Sequence, residues 1–175
     1  MPKLDYSLPV TALAQTKSMS CWAAAAAMLF GWKTGLPYTE RMAASAAGKN
    51  FEIAFDNDQG LLAPEVVEFA QSLHLGVEGP QNVSATGWDA LLRQYGPLWA
   101  GTAIFGTNHV YRHVRIVHGV TGDGTGTGTR LKVLDPDGGR DYEVTVEQFA
   151  KELEQIAKQD IAQNTPLLLP QVLHF

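Results

Sequence analysis

Cys21 is the single cysteine of the chain, and it stands in the segment QTKSMSCWA, residues 15–23. A thiol serves either as a small buried hydrophobe or, once ionised, as a nucleophile. Position alone leaves both open, and the neighbours have to decide. Ser20 is a helix-capping type, and CWAAAAAMLF after it holds five consecutive alanines, which predicts a helix from Cys21 to about Phe30, ended near Gly31. The positive end of such a helix stabilises a thiolate. Gln15 lies six residues upstream, on the segment entering the helix. Folded back beside the thiol, its amide would donate to a developing oxyanion together with the backbone N–H of Cys21. Trp22 either shields that site from water or fills core.

Composition bounds what such a site could serve. The chain has 175 residues, 45% of them hydrophobic and 18% charged, which is ordinary globular usage and enough length for one domain. A net charge of −5 speaks against a nucleic-acid partner. One thiol makes no internal disulfide and no cysteine-based zinc site, so neither an oxidising compartment nor a metal cofactor is implied. The N-terminal MPKLDYSLPV lacks the apolar core of a secretory signal, and the longest apolar run, Trp22 to Phe30, is too short to span a bilayer. The expectation is a protein cytoplasmic where it is made, with no membrane span; export by a signal-independent machine would leave no mark.

The elements that must position the site follow from pattern. Residues 1–19 read as irregular, 39–47 as a helix and 49–63 as a loop. Within that loop Asp56, Asp58 and, beyond it, Glu65 fail the EF-hand spacing and read as solvated. Helices are expected over PEVVEFAQSL from Pro64 and from Ser84 or Thr86 to Tyr95. The period then changes. Residues 97–105 read as a buried strand, and 109–120 alternate, with Val110, Val114 and Ile116 on one face and His109, Tyr111, His113 and Arg115 on the other. The turn GDGTGTGT leads to a strand over 130–134, DPDGG forms a second turn, and 142–144 is a further strand. A late helix covers 146–158 with Phe149, Leu153 and Ile156 inward, and Leu167–Leu169 reads as an edge strand between prolines. Helices first and strands later is the α+β pattern. The glycine-threonine turn lacks the lysine and spacing of a phosphate-binding loop.

With these pieces placed, Gln-x5-Cys-Trp-Ala resembles the active-site segment of the papain-like cysteine proteases. It lacks the extra glycines and second cysteine of the papain segment, and is more similar to compact bacterial members such as bacteriocin-leader peptidases and effector proteases of plant pathogens. The resemblance implies a two-lobed fold: a helical lobe over about 1–96 holding the nucleophile helix, and a β lobe over about 97–175 with an antiparallel sheet. It implies a histidine on a later strand. HVRIVHG from His113 resembles that pattern, and His109 is the rival. His74 and His174 read as structural or solvated. It implies a third residue that orients the imidazole, which Asp135, followed by Pro136, resembles; Asp137 is the fallback.

The implied enzyme is a cysteine peptidase with Cys21, His113 and Asp135 as triad and Gln15 in the oxyanion hole, acting on a protein or peptide through a thioester, with no cofactor. Deamidation, transglutamination or isopeptide cleavage by the same triad, and an idle binding module of this fold, are the alternatives. The resemblance also implies a toxin or effector delivered into a target cell. About 20 residues precede Cys21, too few for an inhibitory prosegment, so a dedicated inhibitor protein is expected in the producer.

Overall fold

The computed structural model describes residues 3–105, 110–162 and 170–175. Its first helix, α1 (Cys21–Thr34), begins where expected. It runs a turn past Phe30 because Gly35, at φ 69°, supplies the left-handed residue that ends it, its N–H reaching the Gly31 carbonyl at 3.0 Å. Ala23 to Ala27 are buried on all sides, which explains why α1 carries no amphipathic stripe. Thr39 caps α2 (Glu40–Ala47) through Met42 N–H at 3.2 Å.

A helix, α3 (Lys49–Asp56), occupies ground that the sequence reading assigned to a loop. Phe51 and Phe55, four residues apart, turn one face of it inward, and the Phe51 ring meets Phe69 at 5.2 Å and Trp22 at 6.3 Å. The breakers Asn57, Asp58 and Gly60 follow the helix rather than replace it. Next come α4 (Ala63–Ser72), strand β2 (Gly76–Glu78) and α5 (Ala85–Tyr95), the last capped by Ser84 through Gly87 N–H.

The remaining strands are β3 (Leu98–Phe105), β4 (Val110–Gly122), β5 (Thr129–Asp135), β6 (Arg140–Thr145) and, after α6 (Val146–Ala162), β7 (Val172–His174). Residues 1–19 are not wholly irregular either, since Leu4–Ser7 form β1, whose Leu4 pairs with Gly122 of β4. No local propensity marks β1; it is a strand because β4 is long enough to offer it an edge. Every pairing is antiparallel, in the order β2-β7-β3-β4-β5-β6 with β1 on β4. The expected edge strand at 167–169 lies outside the described residues, as does His109.

The sheet separates two cores. Trp99, Val114, Ile116, Leu134 and Leu173 pack with the helices α1 to α4. The alternate residues Leu98, Ala100, Val117, Val133 and Val172 pack with α5 and α6. The fold is α+β, with helices leading and an antiparallel sheet following. Among the described residues, no helix is long and apolar enough to cross a membrane.

Candidate active site

Cys21 is the first residue of α1 and half-buried. Ser20 stands at the cap position, yet its hydroxyl does not cap the helix. It accepts from Lys17 N–H at 3.2 Å and donates to Glu40 at 2.6 Å. The Ser20 carbonyl takes the N–H groups of Ala23 and Ala24. Among the described residues no acceptor lies on the N–H of Cys21 or Trp22, as the start of a helix dictates. Trp22 is core, its indole N–H on the Gln59 carbonyl at 3.0 Å and its ring edge-on to Phe69.

Gln15 lies on the same loop. Its side-chain nitrogen donates to the carbonyls of Lys17 at 2.8 Å and Ser18 at 2.9 Å, so both amide hydrogens are engaged within the loop. Its backbone N–H donates to Pro136 at 2.8 Å, tying the segment before Cys21 to the turn after β5.

That turn follows Asp135, the last residue of β5. Asp135 Oδ1 lies 2.6 Å from His113 Nε2 and accepts from Asp137 N–H at 2.9 Å. Its other oxygen faces Arg140 at 3.1 Å and the Tyr142 hydroxyl at 3.5 Å. His113 sits on β4, three residues before the first β4–β5 pair, Ile116–Leu134, and Asp135 lies one residue beyond it. The two side chains thus meet where the strands part. With Nε2 on the carboxylate, Nδ1 is the nitrogen left for Cys21, and both residues line one cleft.

His113 and Asp135 are 6% and 3% exposed. Burial opposes charge on the imidazole, but hydrogen bonds to Asp135 and Cys21, and the charges of both, outweigh it and raise its pKa to about 9. Burial also opposes the Asp135 carboxylate; the His113 hydrogen bond and charge, Asp137 N–H and Arg140 prevail and hold it below the usual range. The arrangement favours a protonated ring between two groups able to carry negative charge. Beside the sulfur opens a cleft of about 530 Å³, lined by Leu61, Leu62 and Val66 on one side and by His113, Val114 and Ile156 on the other.

A family model, papain-like cysteine protease AvrRpt2, matches residues 3–154. The chain belongs to that family. It is a cysteine protease of a bacterial effector family. No curated protein matches it.

Among the described residues, the other histidines stand apart from this constellation. His118 bridges the Leu8 carbonyl and Asp141, and His174 stacks on Tyr95 at 3.6 Å with Glu78 beside it. His74 is exposed at φ 55°. Asp137 turns its carboxylate to Arg140. Among the described residues no group of three His, Cys, Asp or Glu could hold a metal ion.

Around the site of this AvrRpt2-family protease are residues that the sequence reading missed. Glu40 gave no signal, being one acidic residue in the first turn of a helix. It is 4% exposed and accepts from Thr16 N–H, Thr16 Oγ1 and Ser20 Oγ. Asp58 lies in a solvated loop as expected, but it also accepts from Ser18 N–H, Ser18 Oγ and Met19 N–H. Nor is Glu65 idle, for it caps α4 through Leu62 N–H at 2.7 Å.

Proposed function

We propose that this protease hydrolyses peptide bonds in a protein substrate with Cys21 as nucleophile, His113 as general acid and base, and Asp135 as the group that orients the imidazole. The observation carrying this is one ring, His113, held at 2.6 Å by the Asp135 carboxylate and lining the same cleft as Cys21, the only thiol of the chain. The Cys21 thiolate attacks the substrate carbonyl carbon, the S–C bond forms, and the carbonyl π pair moves to oxygen. The Cys21 N–H donates to that oxyanion. The Gln15 amide joins it by exchanging its solvent-exposed bond to the Ser18 carbonyl for the substrate oxygen.

Collapse of the tetrahedral species breaks the C–N bond as His113 delivers its proton to the leaving nitrogen. Water then adds to the thioester carbonyl, giving its proton to the neutral imidazole. The S–C bond breaks, and thiolate and imidazolium are restored. Asp135 accepts from Nε2–H throughout, which fixes Nδ1 toward sulfur and offsets the charge of the imidazolium. The apolar cleft beside Cys21 receives an apolar side chain of the substrate near the scissile bond. The helical lobe, about 1–96, and the β lobe, about 97–175, act as one domain in this reading, and the protein reaches its substrate after delivery into a target cell. A dedicated inhibitor protein protects the producer.

Iodoacetamide alkylation of Cys21 across pH tests it, in wild type and in His113→Ala. The charged ring beside sulfur makes the wild type at least tenfold faster near pH 6.5, with the advantage lost in the variant. Equal rates would make Cys21 a structural thiol and remove the reading.

A further inference from the structure

The N–H groups of Gln15 to Met19 are each committed to an acceptor. Gln15 donates to Pro136, Thr16 to Glu40, Lys17 to Ser20 Oγ, and Ser18 and Met19 to Asp58. Two of these acceptors are carboxylates from elsewhere in the fold. Glu40 opens α2 and grips the loop at Thr16 and at Ser20, the residue before the nucleophile. Asp58 follows α3 at φ 54°, a conformation disfavoured for a residue with a side chain, and grips the loop midway at Ser18 and Met19. No cation pairs with Glu40 among the described residues. Its hydrogen bonds come from the loop and from the Ser20 cap of α1. A buried carboxylate satisfied wholly by one loop holds that loop in a single geometry.

We infer that Glu40 and Asp58 are positioning residues of the oxyanion hole. Together they fix the segment from Thr16 to Ser20, so that the Cys21 N–H is aimed at the substrate oxygen before substrate arrives and the Gln15 amide is held one bond exchange away from it. This rests on the reaction proposed above. The two clamps act on different parts of the loop: Glu40 sets its ends, and Asp58 sets the Ser18 backbone whose carbonyl holds the Gln15 amide. Acylation is the step they serve. Attack of sulfur on a saturated carbon generates no oxyanion and needs neither clamp.

The experiment therefore uses two probes on wild type, Glu40→Ala, Glu40→Gln, Asp58→Ala and Asp58→Asn. Acetyl-leucyl-glycinal forms a thiohemiacetal: the S–C bond forms, the carbonyl π pair moves to oxygen, and the proton of the thiol–imidazole pair stays in the site. Its affinity reads the oxyanion hole. Iodoacetamide, displaced at saturated carbon with loss of iodide, reads the nucleophile alone. The alanine variants should weaken the aldehyde tenfold or more while alkylation stays within threefold of wild type. Gln and Asn, which keep an acceptor oxygen, should fall in between. Unchanged aldehyde affinity, or equal loss with both probes, would overturn the inference. Asp58 lies near the surface and carries the test if Glu40→Ala does not fold. A wild type that fails to bind the aldehyde would instead overturn the reaction proposed above, and the clamps' purpose with it.

Discussion

Arg140 places its guanidinium 3.1 Å from the oxygen of Asp135 that His113 leaves open. The carboxylate therefore lies between two cations whenever the ring is protonated. Replacing Arg140 with Ala removes one of them, so the pKa of Asp135 rises and the acid limb of kcat/KM moves to higher pH. The shift is small, because Arg140 is 58% exposed and water screens it. Asp135→Asn acts on the other side of the same pair. An amide leaves the imidazolium without its counter-charge, and kcat/KM should fall by about 100-fold or more. Both are read as pH–rate profiles on a fluorogenic peptide that the wild type cleaves; an Asp135→Asn variant as active as wild type would mean that something else orients His113.

Stability should depend on pH through the same ring. The His113 pKa is raised from 6.5 to about 9 in the folded chain. Between those values the folded state holds a proton that the unfolded chain releases. Stability is then fully present below pH 6.5 and falls as pH rises toward 9. At 1.36 kcal/mol per pH unit the loss is about 3 kcal/mol at most. Asp135 works in the opposite sense, its contribution present above the ordinary carboxylate range and lost as pH falls through its lowered pKa. Urea midpoints at pH 6.5 and 9.5, in wild type and His113→Gln, test the first of these. The variant should be flat where the wild type declines.

Leu62 lines the cleft beside Cys21 with 68% of its surface open, so it contributes contact to substrate and little to folding. Leu62→Asp places a charge where an apolar side chain must seat. KM should rise about fivefold to 100-fold with kcat nearly unchanged. A fall in kcat at constant KM would show that the cleft wall serves chemistry rather than binding.

Arg115 and Glu152 form an ion pair at 6% and 12% side-chain exposure, joining β4 to α6. Arg115 also donates to Thr102 at 3.1 Å and Tyr142 at 2.8 Å, and its guanidinium lies 5.0 Å from the centre of the Phe149 ring. Glu152→Ala leaves a buried cation without its counter-charge, at a cost of about 3–5 kcal/mol. Glu152→Gln, which still accepts a hydrogen bond, should cost clearly less. Thermal melts measure both; an alanine variant as stable as wild type would show that the remaining acceptors suffice.

Much of this was legible because the decisive signals are local. Ser20 followed by a run of alanines announces a helix start, and a thiol at that start has a restricted set of uses. The alternation around His113 and the Asp-Pro at 135–136 likewise each sit within a few residues. What could not be read depends on distance along the chain. Leu4–Ser7 becomes a strand only through its pairing with residues 119–122. Glu40 and Asp58 look like ordinary surface acids until the fold brings the loop before Cys21 against them. The helix at Lys49–Asp56 was hidden differently: its apolar face consists of two phenylalanines, and the turn residues just beyond it dominate the window.

The place of β7 in the sheet sets an order in time. Its residues Val172–His174 lie between β3 and β2, so a strand made after both its neighbours fills an interior gap. Leu173 pairs with Trp99, whose indole N–H reaches the carbonyl of Trp22, the neighbour of Cys21. A ribosome-bound chain that has already exposed its thiol and its histidine still lacks that support. Completion of the sheet behind Cys21 and His113 therefore comes late in synthesis: β3 and β2 are bridged only once Val172–His174 have been made.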